Sequence, residues 1–196
     1  MAGPFIYSDN GILTCTGVTF GGSSVNLAGI TDGTSNTAAF SERVKAIGNN
    51  FGANTAPFDA GKPTASLATP PMIPISQEGT PQPFYQVCIA NPPAPFPGTN
   101  QDAANFLDDN ISGAMWCSGQ PALTRYLHVM PPNTYSCRQM PFGDQIAHAA
   151  NSRHPGIVNV LFCDGSAKGI KSSISLNTWW ALGSRAGAEV ISADQY

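Results

Sequence analysis

Alternation of apolar and polar residues is most regular in residues 158–163 of the chain. The apolar residues that share one face of an extended backbone are Val158, Val160 and Phe162. A period of two residues with β-branched and aromatic side chains predicts a strand. Asp164-Gly165 follows, a dipeptide suited to the positive φ angles of a two-residue type I′ turn, and residues 166–171 can return as the partner strand. Residues 151–171 are therefore predicted to contain the central β-hairpin.

Two segments have the spacing of short amphipathic helices. The first covers residues 36–47, after a turn at Asp32-Gly33, and its apolar residues are spaced by four and three: Phe40, Val44 and Ile47. The second opens with Ser175 as a candidate N-cap and ends at Gly183. Further strands are predicted at residues 113–119, 123–130 and 188–192.

Residues 50–119 interrupt this regular pattern with many prolines. Each proline removes a backbone donor and fixes φ, so long helices and central strands are excluded from the proline runs. Residues 83–90 lie between these runs and are predicted to form a short strand or helix. Because aromatic and aliphatic residues are spread through the segment, we expect an ordered, loop-rich surface insertion within a single domain of residues 1–196.

Composition and charge exclude several functions. Only 11% of residues are charged and the net charge is −3, so no basic cluster is available for a nucleic-acid partner. No apolar run approaches the roughly 20 residues of a membrane-spanning helix, so the chain itself is expected to be soluble. The 20 glycines and 17 prolines, with many Ser, Thr, Asn and Gln residues, favour a loop-rich β protein that works outside the cytoplasm.

The five cysteines are widely spaced and include no C-x-x-C pair, so no metal site is predicted from them. Cys163 lies on the predicted central strand, where a small buried thiol packs well, and is expected to stay free. The remaining four can form two disulfides in three ways. We favour Cys117 with Cys137, because both lie in one irregular region.

Oxygen-bearing side chains gather after residue 31, and they raise the possibility of calcium: Asp32, Ser35, Asn36 and Glu42. Their spacing differs from that of an EF-hand loop. A role in a turn and helix cap is the preferred interpretation, and calcium is kept as the alternative ligand.

Several segments together resemble the prepilin-type proteins abundant in planctomycetes, whose C-terminal region is named for a His, nine residues and Asp-Gly. Here these residues are His154 and Asp164-Gly165. The resemblance also covers residues 30–37 with Asp32, Gly33 and Asn36, then Glu42, the segment around Trp116, Pro132-Asn133 with Cys137, and residues 180–190. It spans most of residues 28–192 apart from the proline-rich insertion.

The resemblance implies the globular head of a type IV pilin or type II secretion pseudopilin. We therefore expect an α+β, mainly β fold with an antiparallel sheet, few short helices and a large insertion. Members of that family carry a leader and an apolar N-terminal helix that anchors them in the membrane and builds filaments. This sequence starts at Met1 without these features. We expect either a chain cut to its soluble part or a shortened member.

An enzymatic interpretation would combine His154 and Asp164 with Ser152 or Ser166 as nucleophile. If the intervening residues are extended, steps of about 3.3 Å place His154 roughly 30 Å from Asp164, too far for a shared site. No catalytic residue and no enzymatic activity are therefore expected. The motif residues are predicted to be structural, with His154 bound to loop carbonyls or a carboxylate at the start of the strand and Arg153 paired with Glu42 or Glu189.

The expected function is a structural or interaction subunit of the cell envelope or surface. Its partners would be further copies of itself or other pilin-like subunits, and only the absent N-terminal helix would contact a membrane. The alternative is an extracellular module that binds a glycan or calcium, since exposed aromatic rings stack on sugars. Trp179 and Trp180 are the aromatic residues most open to question, and burial of both in a core or interface is favoured.

Overall fold

The computed structural model of the chain describes residues 26–43, 67–68, 81–92, 126–138, 146–192, 194 and 196. Within these residues the strands are β1 (Ala38–Ser41), β2 (Leu67–Ala68), β3 (Ser136–Arg138), β4 (Ile146–Ala147), β5 (Ile157–Phe162) and β6 (Ala167–Lys171). The helices are α1 (Pro81–Ala90), α2 (Leu176–Gly183) and a short 3-10 helix, Leu27–Gly29. The predicted α+β class is confirmed. In these residues, neither α-helix has the length and apolar character needed to cross a bilayer.

The main sheet has the strand order β1-β5-β6, and both pairings are antiparallel. The predicted hairpin is present as β5 and β6, with Val158 opposite Ile170 and Leu161 opposite Ala167. One face of β5 is buried, as the two-residue period predicted.

The turn of the hairpin differs from the prediction. It contains three residues, 163–165, between Phe162 and Ser166, whose backbones are joined by a 2.8 Å hydrogen bond from the Phe162 N–H. A 3.0 Å bond also runs from the Gly165 N–H to the Phe162 carbonyl. Of the three, only Gly165 has a positive φ, 86°. The predicted two-residue type I′ turn is wrong, because a three-residue loop that ends in a left-handed glycine matches the strand twist equally well.

The predicted helix over residues 36–47 is also wrong in its described part, since residues 38–41 form β1. Ala38 and Ala39 are buried, and the strand pairs with the edge of β5. The Thr37 carbonyl accepts a further 2.9 Å hydrogen bond from the Cys163 N–H. The pairing of β1 with β5 outweighs the helix preference of alanine, because intrinsic preferences of this kind are weak. Residues 44–47 lie outside the described residues.

Helix α2 covers the buried face of the main sheet. Ser175 caps it as predicted, since its Oγ accepts a 3.1 Å hydrogen bond from the Thr178 N–H. The core formed by the sheet and this helix consists of Ala38, Tyr126, Ala150, Val158, Val160, Phe162, Ile170, Trp179 and Leu182.

A second, smaller sheet has the order β2-β3-β4, with β2 parallel and β4 antiparallel to β3. Helix α1 packs in the same cluster through Phe84 and Cys88. Prolines at the start of α1 are tolerated because the first helical N–H groups have no intrahelical acceptor. For residues 83–90 the helical alternative is therefore correct.

A disulfide joins α1 to β3 through Cys88 and Cys137. The predicted Cys117–Cys137 pair is wrong: Cys137 already has a partner, and Cys117 lies outside the described residues. The sequence could not identify Cys88 as the partner, because the two cysteines are 49 positions apart and no local pattern shows that α1 contacts β3. Cys163 is free, as predicted.

Residues 126–130, predicted as part of a strand, form a bridge at Tyr126 followed by a turn. The last two carbonyl groups of this segment accept hydrogen bonds from indole N–H groups of α2. Trp179 Nε1 donates to the Met130 carbonyl at 2.8 Å, and Trp180 Nε1 donates to the Val129 carbonyl at 3.0 Å. Residues 188–192 are irregular, so the predicted last strand is wrong, and residues 113–119 lie outside the described residues.

Candidate functional site

The Asp-Gly of the hairpin turn is held by local hydrogen bonds. Asp164 Oδ1 accepts from the Ser166 N–H at 2.8 Å and from the Ser166 hydroxyl at 2.7 Å. These bonds lower the pKa of Asp164. Ser166 is thereby engaged with a carboxylate, and Gly165 supplies the left-handed backbone that follows. This geometry is that of a turn in which the acidic residue stabilises the backbone.

Glu42 joins β1 to the middle of β5. Its Oε1 accepts a 2.6 Å hydrogen bond from the side-chain amide of Asn159, and the Glu42 N–H donates to the Asn159 carbonyl at 3.2 Å. Burial raises the pKa of Glu42, but hydrogen bonds from Ser152 and Asn159, with the nearby His154, outweigh it and lower the pKa overall. Glu42 is therefore a carboxylate at neutral pH.

His154 reaches Glu42 and not Asp164. Its Nε2 lies 3.7 Å from Glu42 Oε1, as expected for a histidine placed near a carboxylate. Among the described residues no ion pair joins Arg153 to Glu42 or Glu189, so that pairing is wrong: His154 takes the place next to Glu42. The exposed Arg153 lies in the turn before β5.

The elements of a hydrolase triad do not converge. The Ser152 hydroxyl accepts from the His154 backbone N–H at 3.1 Å and binds Glu42, so it is directed away from a base. Asp164 binds Ser166 in the turn at the other end of β5. His154 and Asp164 thus have separate partners, and the arrangement stabilises loops on both sides of one strand.

Asp32 binds the C-terminal segment. Its Oδ2 accepts from the Gly187 N–H at 2.8 Å, and its Oδ1 accepts from the Ala188 N–H at 2.9 Å. Ala188 has a φ of 59°, which turns two successive N–H groups toward one carboxylate. The Asp32 N–H also donates to the Arg185 carbonyl at 3.1 Å. Gly33, with a φ of 96°, permits the turn that presents Asp32.

The calcium candidates are engaged with different partners. Asp32 binds the backbone near residue 187, and Glu42, beyond the far end of β1, binds Asn159. The Asn36 amide donates to the Asp32 carbonyl at 3.4 Å and its oxygen accepts from the Tyr196 hydroxyl at 3.0 Å. Ser35 is exposed. Among the described residues no group of three His, Cys, Asp or Glu side chains could hold a metal ion.

Asn133 is a structural residue whose role the sequence did not reveal. Its φ of 59° is left-handed, a conformation that asparagine tolerates better than most residues. The side-chain amide donates to the Ile157 carbonyl at 3.0 Å and to the Ser172 hydroxyl at 2.7 Å, while its oxygen accepts from the Ser152 N–H at 2.8 Å. Asn133 therefore fixes the start of β5 and the end of β6 at one point.

His128 is fully buried, stacked on Trp179 with ring centroids 3.8 Å apart. Its Nδ1 lies 2.7 Å from the Trp179 carbonyl, which can only accept, so Nδ1 carries the proton. Nε2 then accepts from the Tyr126 hydroxyl at 3.1 Å. Burial lowers the pKa of His128 to about 4, so the ring is neutral at physiological pH. Nothing in the local sequence marked this histidine, because Trp179, on which it stacks, comes from a helix 51 positions later.

The free thiol of Cys163 has low reactivity. Cys163 lies half-buried in the hairpin turn, and burial, with the neighbouring Asp164 carboxylate, raises the pKa of Cys163 to about 11. Thiolate is the nucleophilic form of cysteine, so this residue is a poor nucleophile at neutral pH.

The outer face of the main sheet, opposite the face that α2 covers, presents partly exposed side chains. Neighbouring rows of opposed residues run across it, one made of Phe40, Leu161 and Ala167 and the next made of Glu42, Asn159 and Gly169, with Ile157 opposite Lys171 beyond them. Phe40 is 44% exposed and Leu161 is 37% exposed, so an apolar row lies in solvent beside a polar row. We call these two rows the open face. Within the described residues it is a surface that combines exposed apolar side chains with polar ones.

Comparison with known proteins identifies the family. A family described as a protein of unknown function (DUF1559) matches residues 7–177 of the chain. The chain belongs to this family. The match includes Glu42, Asn133, His154 and the Asp164 turn, whereas the backbone groups that bind Asp32 lie beyond its end. No curated protein and no solved structure matches the chain.

Proposed function

We propose that this protein is a structural or interaction subunit of the cell envelope or surface, similar to the globular head of a pilin or pseudopilin. The observation that carries the proposal is the use of the three motif carboxylates inside the fold. Asp32 joins two distant segments, Glu42 joins β1 to β5, and Asp164 closes the hairpin. Catalytic carboxylates would instead converge with other reactive groups around a substrate site.

The relation to prepilin-type proteins is part of this proposal. Its support is the set of motif segments in the sequence and an antiparallel sheet with one face covered by α2 and one face open. In this proposal the partners are further copies of the chain or other pilin-like subunits. In this proposal any membrane contact is made by an N-terminal helix of the kind that prepilin-type proteins carry.

An extracytoplasmic location is supported by the Cys88–Cys137 disulfide. Disulfides persist in oxidising compartments and are reduced in most cytosolic proteins. The proposal therefore places the natural protein outside the cytoplasm, where a stable link between α1 and β3 would form during folding.

Fractionation of native cells tests this function. We expect the protein in the envelope or surface fraction, with the Cys88–Cys137 bond oxidised when thiols are blocked at lysis, and with cross-linked adducts to itself or another envelope subunit. A cytoplasmic marker protein and an envelope marker protein, followed in the same preparation, serve as controls. Recovery in the cytoplasmic fraction with both cysteines reduced would contradict the proposal.

A ligand-binding module is the second candidate function, for a glycan or for calcium. The open face favours the glycan form, since exposed apolar side chains beside polar ones mark interaction sites. For calcium, the test is thermal unfolding with excess Ca²⁺ against excess chelator. The structural proposal predicts equal midpoints, and a midpoint that rises with Ca²⁺ concentration would favour calcium binding near Asp32.

A further inference from the structure

The open face combines a flat apolar strip with hydrogen-bonding groups at a fixed spacing. Phe40 is opposed to Leu161 across β1 and β5, and Leu161 is opposed to Ala167 on β6. Alternation along a strand places residues two apart on one face, so Glu42 lies beside Phe40 and Asn159 lies beside Leu161. Both rows therefore present side chains to the same side of the sheet.

Gly169 contributes no side chain to the polar row. It is opposed to Asn159, and a Cβ added to Gly169 would lie 3.5 Å from Ile157 and 3.8 Å from the Asn159 side-chain oxygen, in ordinary contact. Its φ is not in the left-handed range, so the backbone does not require glycine there. The missing side chain instead leaves room above Asn159 for a flat ligand.

The polar row offers acceptors and donors together. The Glu42 carboxylate and the Asn159 amide are held at 2.6 Å from each other, so their positions are fixed before a ligand arrives. In the described part of the chain the Asn159 side-chain oxygen accepts no hydrogen bond, and His154 adds an exposed ring near Glu42. Vicinal sugar hydroxyls, each both donor and acceptor, are matched by such a carboxylate and amide pair.

The apolar row supplies the other half of saccharide recognition. One face of a pyranose ring carries C–H groups, which pack against an aromatic ring, while its hydroxyls project from the edge. Phe40 is the exposed ring of the open face, and Leu161 extends the strip across the sheet. Nucleic acid does not suit this surface, because Glu42 would repel phosphate.

We propose that the open face binds an uncharged saccharide chain, with Phe40 and Leu161 under the sugar ring and Glu42 and Asn159 bound to its hydroxyls. The inference rests on the proposed surface role, since polysaccharides are met outside the cytoplasm. It names the partner class of that role. The Glu42 carboxylate, at the β1 end of the polar row, disfavours negatively charged saccharides.

The test is binding of the purified chain to an array of neutral oligosaccharides and uronic-acid-containing ones, followed by titration calorimetry with the best binder. We expect binding to at least one neutral saccharide, weakened about tenfold or more in Phe40→Ser, the loss of roughly one good contact. Gly169→Val is expected to weaken it as much, by filling the space above Asn159. Val190→Ser, which changes a 98% exposed apolar residue outside the sheet, is the matched control.

Thermal unfolding of each variant shows that binding is compared among folded proteins. The proposal is overturned if no neutral saccharide binds, if only acidic saccharides bind, or if Phe40→Ser and Gly169→Val bind as well as Val190→Ser. These outcomes are separable from the proposed function. If the protein is found in the envelope but binds no saccharide, only this inference is contradicted. If the protein is found in the cytoplasm, the surface role is contradicted, whatever the protein binds in solution.

Discussion

Asp32 and Ala188 are 156 positions apart in the chain, and the carboxylate of one accepts a 2.9 Å hydrogen bond from the backbone N–H of the other. The Gly187 N–H binds the second oxygen of the same carboxylate. Segments near the two ends of the described chain are thereby held together by one acidic side chain. Asp32, which the sequence offers as a candidate calcium ligand, therefore stabilises the fold through hydrogen bonds to the backbone.

Replacing the Asp32 carboxylate should therefore destabilise the protein. In Asp32→Asn one of the two backbone N–H groups faces an amide N–H instead of an oxygen, and we expect a loss of about 1–2 kcal/mol in the free energy of unfolding. Urea denaturation measures it. Asp194→Asn makes the same chemical change at an exposed residue and should lie within about 0.5 kcal/mol of wild type. Equal losses in both variants would contradict the role given to Asp32.

Gly165 should be far less replaceable than Gly169. A side chain at Gly165 meets no neighbour, but its φ of 86° is left-handed, so Gly165→Ala is expected to lose about 1–2 kcal/mol. Gly169→Ala in β6 has an ordinary strand backbone and should change stability by less than about 0.5 kcal/mol. Urea denaturation of both variants decides. Equal behaviour would mean that the turn adopts another conformation.

The buried His128 should make stability depend on pH above the range in which carboxylates titrate. In the unfolded chain its pKa is near 6.5, and in the folded protein burial lowers the pKa to about 4. As the pH falls below 6.5, His128 binds a proton in the unfolded state but not in the folded state, so the free energy of unfolding falls. The effect levels off below about pH 4. Between pH 7 and pH 5 this loss is about 2 kcal/mol.

Urea denaturation at pH 7 and pH 5 measures the loss. His128→Asn keeps a donor for the Trp179 carbonyl but cannot titrate, so it should be less stable overall and lack this part of the pH dependence. His154→Asn, at an exposed site, should retain it. In wild type, NMR of the His128 ring should show no titration down to pH 5. A ring that titrates near 6.5 in the folded protein would overturn the prediction.

The disulfide between Cys88 and Cys137 is open to direct measurement. A non-reducing peptide map should contain a Cys88–Cys137 cross-link. Removing both thiols as Cys88→Ala/Cys137→Ala frees a loop of 49 positions in the unfolded chain and should lower stability by up to about 4 kcal/mol. Cys163→Ala, at the free thiol, is the control. A Cys117–Cys137 peptide in the map would contradict the structure.

The hairpin was predictable because its information is local. The alternation from Val158 to Phe162 and the glycine at 165 lie within one short segment, and so does the Ser175 cap of α2. Strand β1 was not predictable, because its alanines favour a helix until a hairpin edge is available to pair with. The periodicity of a sequence indicates the local preference for helix or strand. It does not indicate which strand edge a segment will pair with.

The candidate site shows the same division. A carboxylate was one of the two kinds of partner expected for His154, but Glu42 is 112 positions away and, from the scarcity of charges, was assigned with Glu189 to Arg153. The open face exists only once β1 lies beside β5, which brings Phe40 next to Leu161. Asn133 and His128 act through distant backbone carbonyls, which leave no mark in the sequence.

The central claim is that the motif residues hold the fold and that the open face carries the function. The most direct measurement is photo-cross-linking in native cells from a benzophenone amino acid placed at Leu161. An exposed position on α2, Asn177, is the control. We predict a higher-mass envelope adduct from position 161 and none from 177. Adducts from 177 with none from 161 would contradict the claim.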